Sequence, residues 1–168
     1  MQEENSVYEG VIDVGVLVPS CFENPLREES VSFLNDVLLL RRKAIIPVTA
    51  VVGAYHIATS YLKVSRVSAK NVYSDLLKTR SEALFPDLKS ELASAALDYA
   101  AAYKIESWDG YLLAIAVKFG AKIVFSMDKE LGEALKLQKE TSLPAVVNPF
   151  STKAVQEYHK FLERKFDR

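Results

Sequence analysis

Among the residues able to do chemistry, three aspartates stand out by position. Asp13 follows the apolar pair Val11-Ile12, Asp109 falls in the first turn of a segment with helical periodicity, and Asp128 comes just after the run Ala121 to Phe125. In open parallel sheets the reactive groups gather at the carboxyl ends of the strands, and all three positions are compatible with one such edge. Carboxylates brought together repel one another unless a divalent cation neutralises them. An oxygen-only donor set suits Mg2+ or Mn2+, with waters completing the shell. Each aspartate also has a structural role open to it. Asp109 can favour the positive end of its helix, and Asp128 can cap one. For Asp13 that route is narrower, since an unpaired carboxylate inside an apolar strand is costly, although a turn at Val14-Gly15 would bring it to water.

Other chemistries lack the residues they need. His56 and His159 are far apart in sequence and form no short metal-ligand pair. His56 reads as a semi-buried, hydrogen-bonded residue of an apolar helix and His159 as a solvated one. The single cysteine, Cys21, excludes an intramolecular disulfide framework and a multi-thiolate zinc site. Neither G-x-G-x-x-G nor a Walker loop occurs.

The elements that must position the aspartates fit one domain of 168 residues, 49% hydrophobic and 26% charged. Basic and acidic residues nearly cancel, 21 against 22, which excludes a strongly basic nucleic-acid coat but not a local basic patch. The acidic N-terminus lacks the pattern of a secretory signal. The uncharged stretch Ala44 to Leu62 has the length of a membrane span, but Pro47, Gly53, His56 and several hydroxyl residues interrupt it. It reads better as a buried strand feeding a buried helix. The expectation is a cytoplasmic protein with no membrane association.

Val11 to Val18 reads as a strand buried on both faces. Asn24 caps and Pro25 starts a helix that presents Leu26, Ser30, Phe33, Leu34 and Val37 on one side. Ala44 to Ile46 is a second strand, followed by helices over about 49–63 and 68–80. Glu82 to Phe85 is a weak third strand, and Leu88 to Tyr103 an alanine-rich helix. Ser107 caps a helix from Trp108 to Phe119 that Gly120 stops. A strand over 121–125, a helix over 129–137 and a strand over 145–147 complete the alternation. From Ser151 a helical tail carries Val155, Tyr158, Leu162 and Phe166 on one face, to pack on the body or on a second subunit. Strands alternating with helices imply right-handed parallel crossovers, hence a three-layer α/β/α domain.

In order and context these segments resemble the PIN domain, the nuclease fold of VapC-type toxins. Val11-Ile12-Asp13-Val14-Gly15-Val16-Leu17 is similar to that family's opening strand and first acidic motif, and Asn24-Pro25-Leu26 through Phe33-Leu34 to its first helix. Ser107-Trp108-Asp109-Gly110-Tyr111-Leu112-Leu113-Ala114 resembles the late acidic helix. Ile123-Val124-Phe125-Ser126-Met127-Asp128-Lys129-Glu130-Leu131 resembles the strand and Thr/Ser-x-Asp motif after it, and Val147-Asn148-Pro149-Phe150 the closing strand and turn. The resemblance covers roughly residues 9–150. It implies a five-stranded parallel sheet of order 3-2-1-4-5, with residues 1–150 as the PIN-like domain and 151–168 as its helical extension. It further implies Mg2+- or Mn2+-dependent hydrolysis of RNA phosphodiester bonds. On that footing Asp13 and Asp109 are ligands, direct or through water, and Asp128 completes the catalytic and metal site. Ser126 orients a ligand or water, and Glu130 falls where many members carry a further acid, though a solvent-facing helix residue is its other role. A toxin setting would bring an antitoxin-like partner and a homodimer.

The chain departs from the family at one key place. The glutamate early in the second helix aligns, from Pro47, with Gly53, and no acid occurs between Lys43 and Asp75. A charge and a ligand are lost there, which keeps a second reading open, a non-catalytic PIN-like module that binds RNA or a protein. Magnesium-dependent phosphoryl transfer fits less well, because Asp13-Val14-Gly15 lacks the second acid of a dehalogenase-like site. Arg41-Arg42-Lys43 and the group Lys63, Arg66, Lys70 are either phosphate contacts or solvated helix ends. Tyr61, Tyr73 and Tyr103 read as packing residues. Trp108 either shapes the cleft or packs the start of its helix.

Overall fold

The computed structural model describes residues 8–86 and 88–166; the acidic residues 1–7 lie outside them. Strand β1 (Gly10–Ile12) is central, paired in parallel with β2 (Ala44–Pro47) on one side and β4 (Ile123–Phe125) on the other. Strands β3 (Leu84–Phe85) and β5 (Ala145–Val147) extend the sheet outward, again in parallel, giving the order β3-β2-β1-β4-β5. The parallel sheet and its order are those expected above.

Alternate residues of each central strand enter different cores, as the two-residue period of a strand requires. Ile12, Ile46 and Phe125 point into one core, closed by α1 (Val14–Leu17), α2 (Arg27–Leu38), α3 (Val48–His56), α4 (Arg66–Lys78) and α8 (Thr152–Phe166). Val11, Ile45 and Val124 point into the other, closed by α5 (Ser90–Tyr103), α6 (Ser107–Lys118) and α7 (Lys129–Lys136). The result is three layers, with continuous apolar strands because both faces are covered.

Several expected boundaries are corrected. The first strand stops at Ile12, and Val14 to Leu17 is helical. Its neighbour β4 ends at Phe125, whose carbonyl takes the Asp13 N–H at 3.0 Å as the last ladder bond. Beyond that point no partner strand remains, and Val16 and Leu17 are buried from a helix instead. Helix α2 begins at Arg27 and not at Pro25. Asn24 makes a turn instead, its Oδ1 accepting the Leu26 N–H at 2.9 Å. Ser107 is the first residue of α6, and Glu106 stands at the cap position without a side-chain capping bond. Helix α3 continues into a wider turn over Ile57–Tyr61. Tyr61 is 65% exposed and meets His56 edge-on, with ring centroids 5.5 Å apart, whereas Tyr73 is buried and its hydroxyl donates to the Leu17 carbonyl at 3.2 Å.

The tail packs on the body. Val155 and Tyr158 are buried in the first core and Leu162 leans on it, but Phe166 is 45% exposed and falls outside the expected stripe. Phe161 touches Phe22, with ring centroids 6.3 Å apart. Glu29 of α2 fastens the start of the tail, accepting from Ser151 N at 2.8 Å and Ser151 Oγ at 2.6 Å. Among the described residues no helix is long and apolar enough to cross a membrane.

One close approach sets the position of α6. A Cβ on Gly110 would overlap the Ala96 carbonyl oxygen and lie 3.1 Å from Ala100 N. Only glycine lets the first turn of α6 lie this tightly on α5, and that contact holds the neighbouring Asp109 inward.

Candidate active site at the carboxyl edge of the sheet

Three chain reversals at the carboxyl ends of the strands bring the aspartates together. Asp13 is the junction between β1 and α1, Asp128 follows β4 as the cap residue of α7, and Asp109 projects from the first turn of α6. All three line one cavity of about 380 Å³, together with Val14, Gly53, His56, Ile57, Glu106 and Trp108.

A short hydrogen-bond chain ties two of the acids. The Asp128 N–H donates to Ser126 Oγ at 3.0 Å, and Ser126 Oγ donates to Asp13 Oδ2 at 2.6 Å. Ser126 is buried at the end of β4, so its hydroxyl fixes the rotamer of Asp13 from the neighbouring strand. Asp128 is occupied on its own side, where Oδ1 accepts from Glu130 N at 2.8 Å and Leu131 N at 3.1 Å, the capping role open to it from sequence. Asp109 differs. Among the described residues no donor reaches its carboxylate, although the side chain is buried to 9% exposure.

The electrostatics follow from that arrangement. Burial pushes the Asp13 carboxyl up, and the negative charge of Asp128 adds to the rise. The Ser126 hydroxyl and the backbone N–H groups of Val14 and Gly15 work against it. Asp109 is pushed up to about 7, first by burial and then by repulsion from Asp13, Asp128 and Glu106. A carboxylate titrating near neutrality beside two others is a site short of positive charge.

Gly53 lies on the wall of this cavity, beside the three aspartates. A Cβ there would meet only Val14 Cγ2, at the ordinary contact distance of 3.5 Å. Glu130 sits in the exposed first turn of α7 and is not among the residues lining the cavity. Two further residues enter the site that sequence reasoning assigned elsewhere or passed over. His56 is exposed and at the cavity wall, one helical turn beyond Gly53 on the same face of α3. Glu106 comes three residues before Asp109, again a same-face spacing. That i+3 relation to already suspected positions is the signal that finds both.

The basic segment Arg41-Arg42-Lys43 precedes β2 and so lies at the amino edge of the sheet, away from the aspartates. There Arg42 pairs with Glu9 at 3.4 Å and covers the Phe33 and Phe125 rings, while Arg41 pairs with Asp36 at 3.4 Å. A second cavity, of about 560 Å³ between α7 and β5, shares Asp128 with the first and is lined by Ser126, Lys129, Lys136 and Lys139.

Among the described residues no group of three or more His, Cys, Asp or Glu side chains is arranged to hold a metal ion as it stands. The chemistry of the donors nevertheless fits a hard divalent cation. They are oxygen-only, two are buried, and their mutual repulsion is the quantity such a cation cancels. Asp109 with both oxygens, and the free oxygens of Asp13 and Asp128, are the groups that could draw in around one. No protein-family model matches the chain, and no curated protein matches it.

Proposed function

We propose that this protein is a divalent-metal-dependent phosphodiesterase acting on RNA, working with a reduced set of acidic ligands. The observation that carries this reading is the cavity that Asp13, Asp109 and Asp128 line together from three separate elements, with Asp109 buried there without a donor among the described residues and pushed up to about 7, first by that burial and then by the neighbouring carboxylates. A pure capping or solubilising role explains Asp128 but not a buried carboxylate without a donor. Mg2+ or Mn2+ would supply charge neutralisation, a more acidic water and stabilisation of the charge developing on phosphate oxygens. Asp13 and Asp109 would hold the ion, with the second oxygen of Asp128 behind them. Ser126 keeps Asp13 in one orientation. RNA as the substrate, and a toxin-like setting with an antitoxin-like partner and a homodimer, rest on the resemblance.

A binding module without catalysis is the second reading, favoured by glycine at position 53. The discriminating experiment measures cleavage of a single-stranded RNA and calorimetric metal binding for the wild type, Asp13→Asn and Gly53→Glu. The expected result is weak cleavage at millimolar-scale Mn2+, abolished by chelation and by Asp13→Asn. Gly53→Glu should tighten metal binding and raise the rate, since its Cβ meets no obstacle. A folded Gly53→Glu protein with neither metal affinity nor cleavage would end the phosphodiesterase reading and leave the binding module.

A further inference from the structure

The cavity has a second side that the aspartates do not use. Val14, Ile57, His56 and the half-buried indole of Trp108 line it, so that apolar and aromatic surface stands beside the acids. Two polar groups here have no structural task. The carboxylate of Glu106 makes no capping bond at the start of α6, and the indole N–H of Trp108 is buried without an acceptor among the described residues. An aromatic face next to an acceptor-only carboxylate is the equipment for holding an unpaired nucleobase. The ring stacks, and the carboxylate takes hydrogen bonds from the donor edge of the base.

Guanine fits this equipment best. Its N1–H and N2 amino group are adjacent donors that match the two oxygens of a carboxylate. Uracil offers a single N–H between two carbonyls, which a carboxylate repels. Resting on the reading of the cavity as an RNA site, we infer that Glu106, Trp108 and His56 form a base pocket selective for an unpaired guanine beside the scissile phosphate.

Trp108 is the only tryptophan of the chain, so its fluorescence reports on this pocket directly. The full chain is titrated with GMP, AMP, CMP, UMP and ribose 5-phosphate, and the titrations are repeated for Glu106→Gln and Glu106→Ala. Neither substitution removes a capping bond. GMP should change the fluorescence saturably at concentrations roughly tenfold or more below those of UMP, the discrimination expected of one bidentate contact. Ribose 5-phosphate should leave the signal unchanged, and both variants should lose most of the guanine preference. Equal responses to all four nucleotides, or none to GMP, overturn the pocket. If RNA is still cut under those outcomes, the phosphodiesterase reading stands without it. Guanine selectivity that depends on Glu106, in a protein that cuts no RNA even as Gly53→Glu, keeps the pocket and removes the enzyme.

Discussion

Helices α6 and α7 flank the same strand, β4, and each has an aspartate at its beginning and a glycine near it, yet the two starts are built for different ends. At α7 the aspartate is exposed, and its oxygen is spent on two backbone N–H groups of its own helix. At α6 the aspartate is buried, caps nothing and titrates near neutrality, while the residue at the cap position leaves its own side chain free. Residue type and helix position are nearly the same. What differs is the neighbour, since α5 presses on α6 through Gly110, whereas the first turn of α7 stays open to solvent. The acid at a helix start is driven toward its neutral form when packing removes both water and hydrogen-bond partners from it.

The glycines give the strongest test of that contrast. Gly110→Ala should cost more than about 3 kcal/mol or prevent folding, since a Cβ would overlap backbone that cannot move aside. Chemical denaturation checks it, and a near-wild-type midpoint would show that α5 and α6 are not locked together.

Asp109→Asn comes next in size. The folded carboxyl holds its proton up to about pH 7 while the unfolded one releases it near 4. The native state therefore binds more protons across that interval, and stability falls as pH rises through it. Removing the charge should flatten that slope and stabilise the protein at pH 8 by on the order of 2–4 kcal/mol, with little change at pH 4. Thermal melts at both pH values measure this, and the same variant should have no metal-dependent activity. A slope unchanged by the substitution would mean that another group carries it.

Asp128→Ala should behave as an ordinary cap deletion, losing about 1 kcal/mol. A loss much larger than that would erase the distinction between the two helix starts. The smallest effect is expected for Gly132→Ala in α7, whose Cβ would meet Val146 at an ordinary 3.7 Å. Here alanine should be neutral or stabilising by up to about 1 kcal/mol, the opposite sign to Gly110→Ala.

Much of this was legible in the chain because the sheet is buried on both faces. Val11-Ile12, Ala44-Ile45-Ile46 and Val124-Phe125 are unbroken apolar runs between helical periodicities, and that pattern alone implies a covered parallel sheet. The short helix after Asp13 was not legible. Val14-Gly15-Val16-Leu17 is as apolar as a strand, and the point at which the ladder ends is set by Phe125, more than a hundred residues away. The aspartates were visible because a carboxylate next to a buried strand is conspicuous. Glu106 and His56 were not, since exposed polar residues on helices carry no periodic signal of their own, and only their spacing from Asp109 and Gly53 marks them.

The bond between Ser126 and Asp13 spans 113 residues, and the central strand finds one of its two partners only at Ile123. A chain emerging from the ribosome therefore carries Asp13 long before it carries the hydroxyl that orients it or the strand that seals it. Early strand pairing can reach β2 and β3, but the ladder between β1 and β4 must close a very long loop, which is slow and entropically costly. The acidic cavity is completed only once β4 and Asp128 have been made, so chains that end before that point are without it.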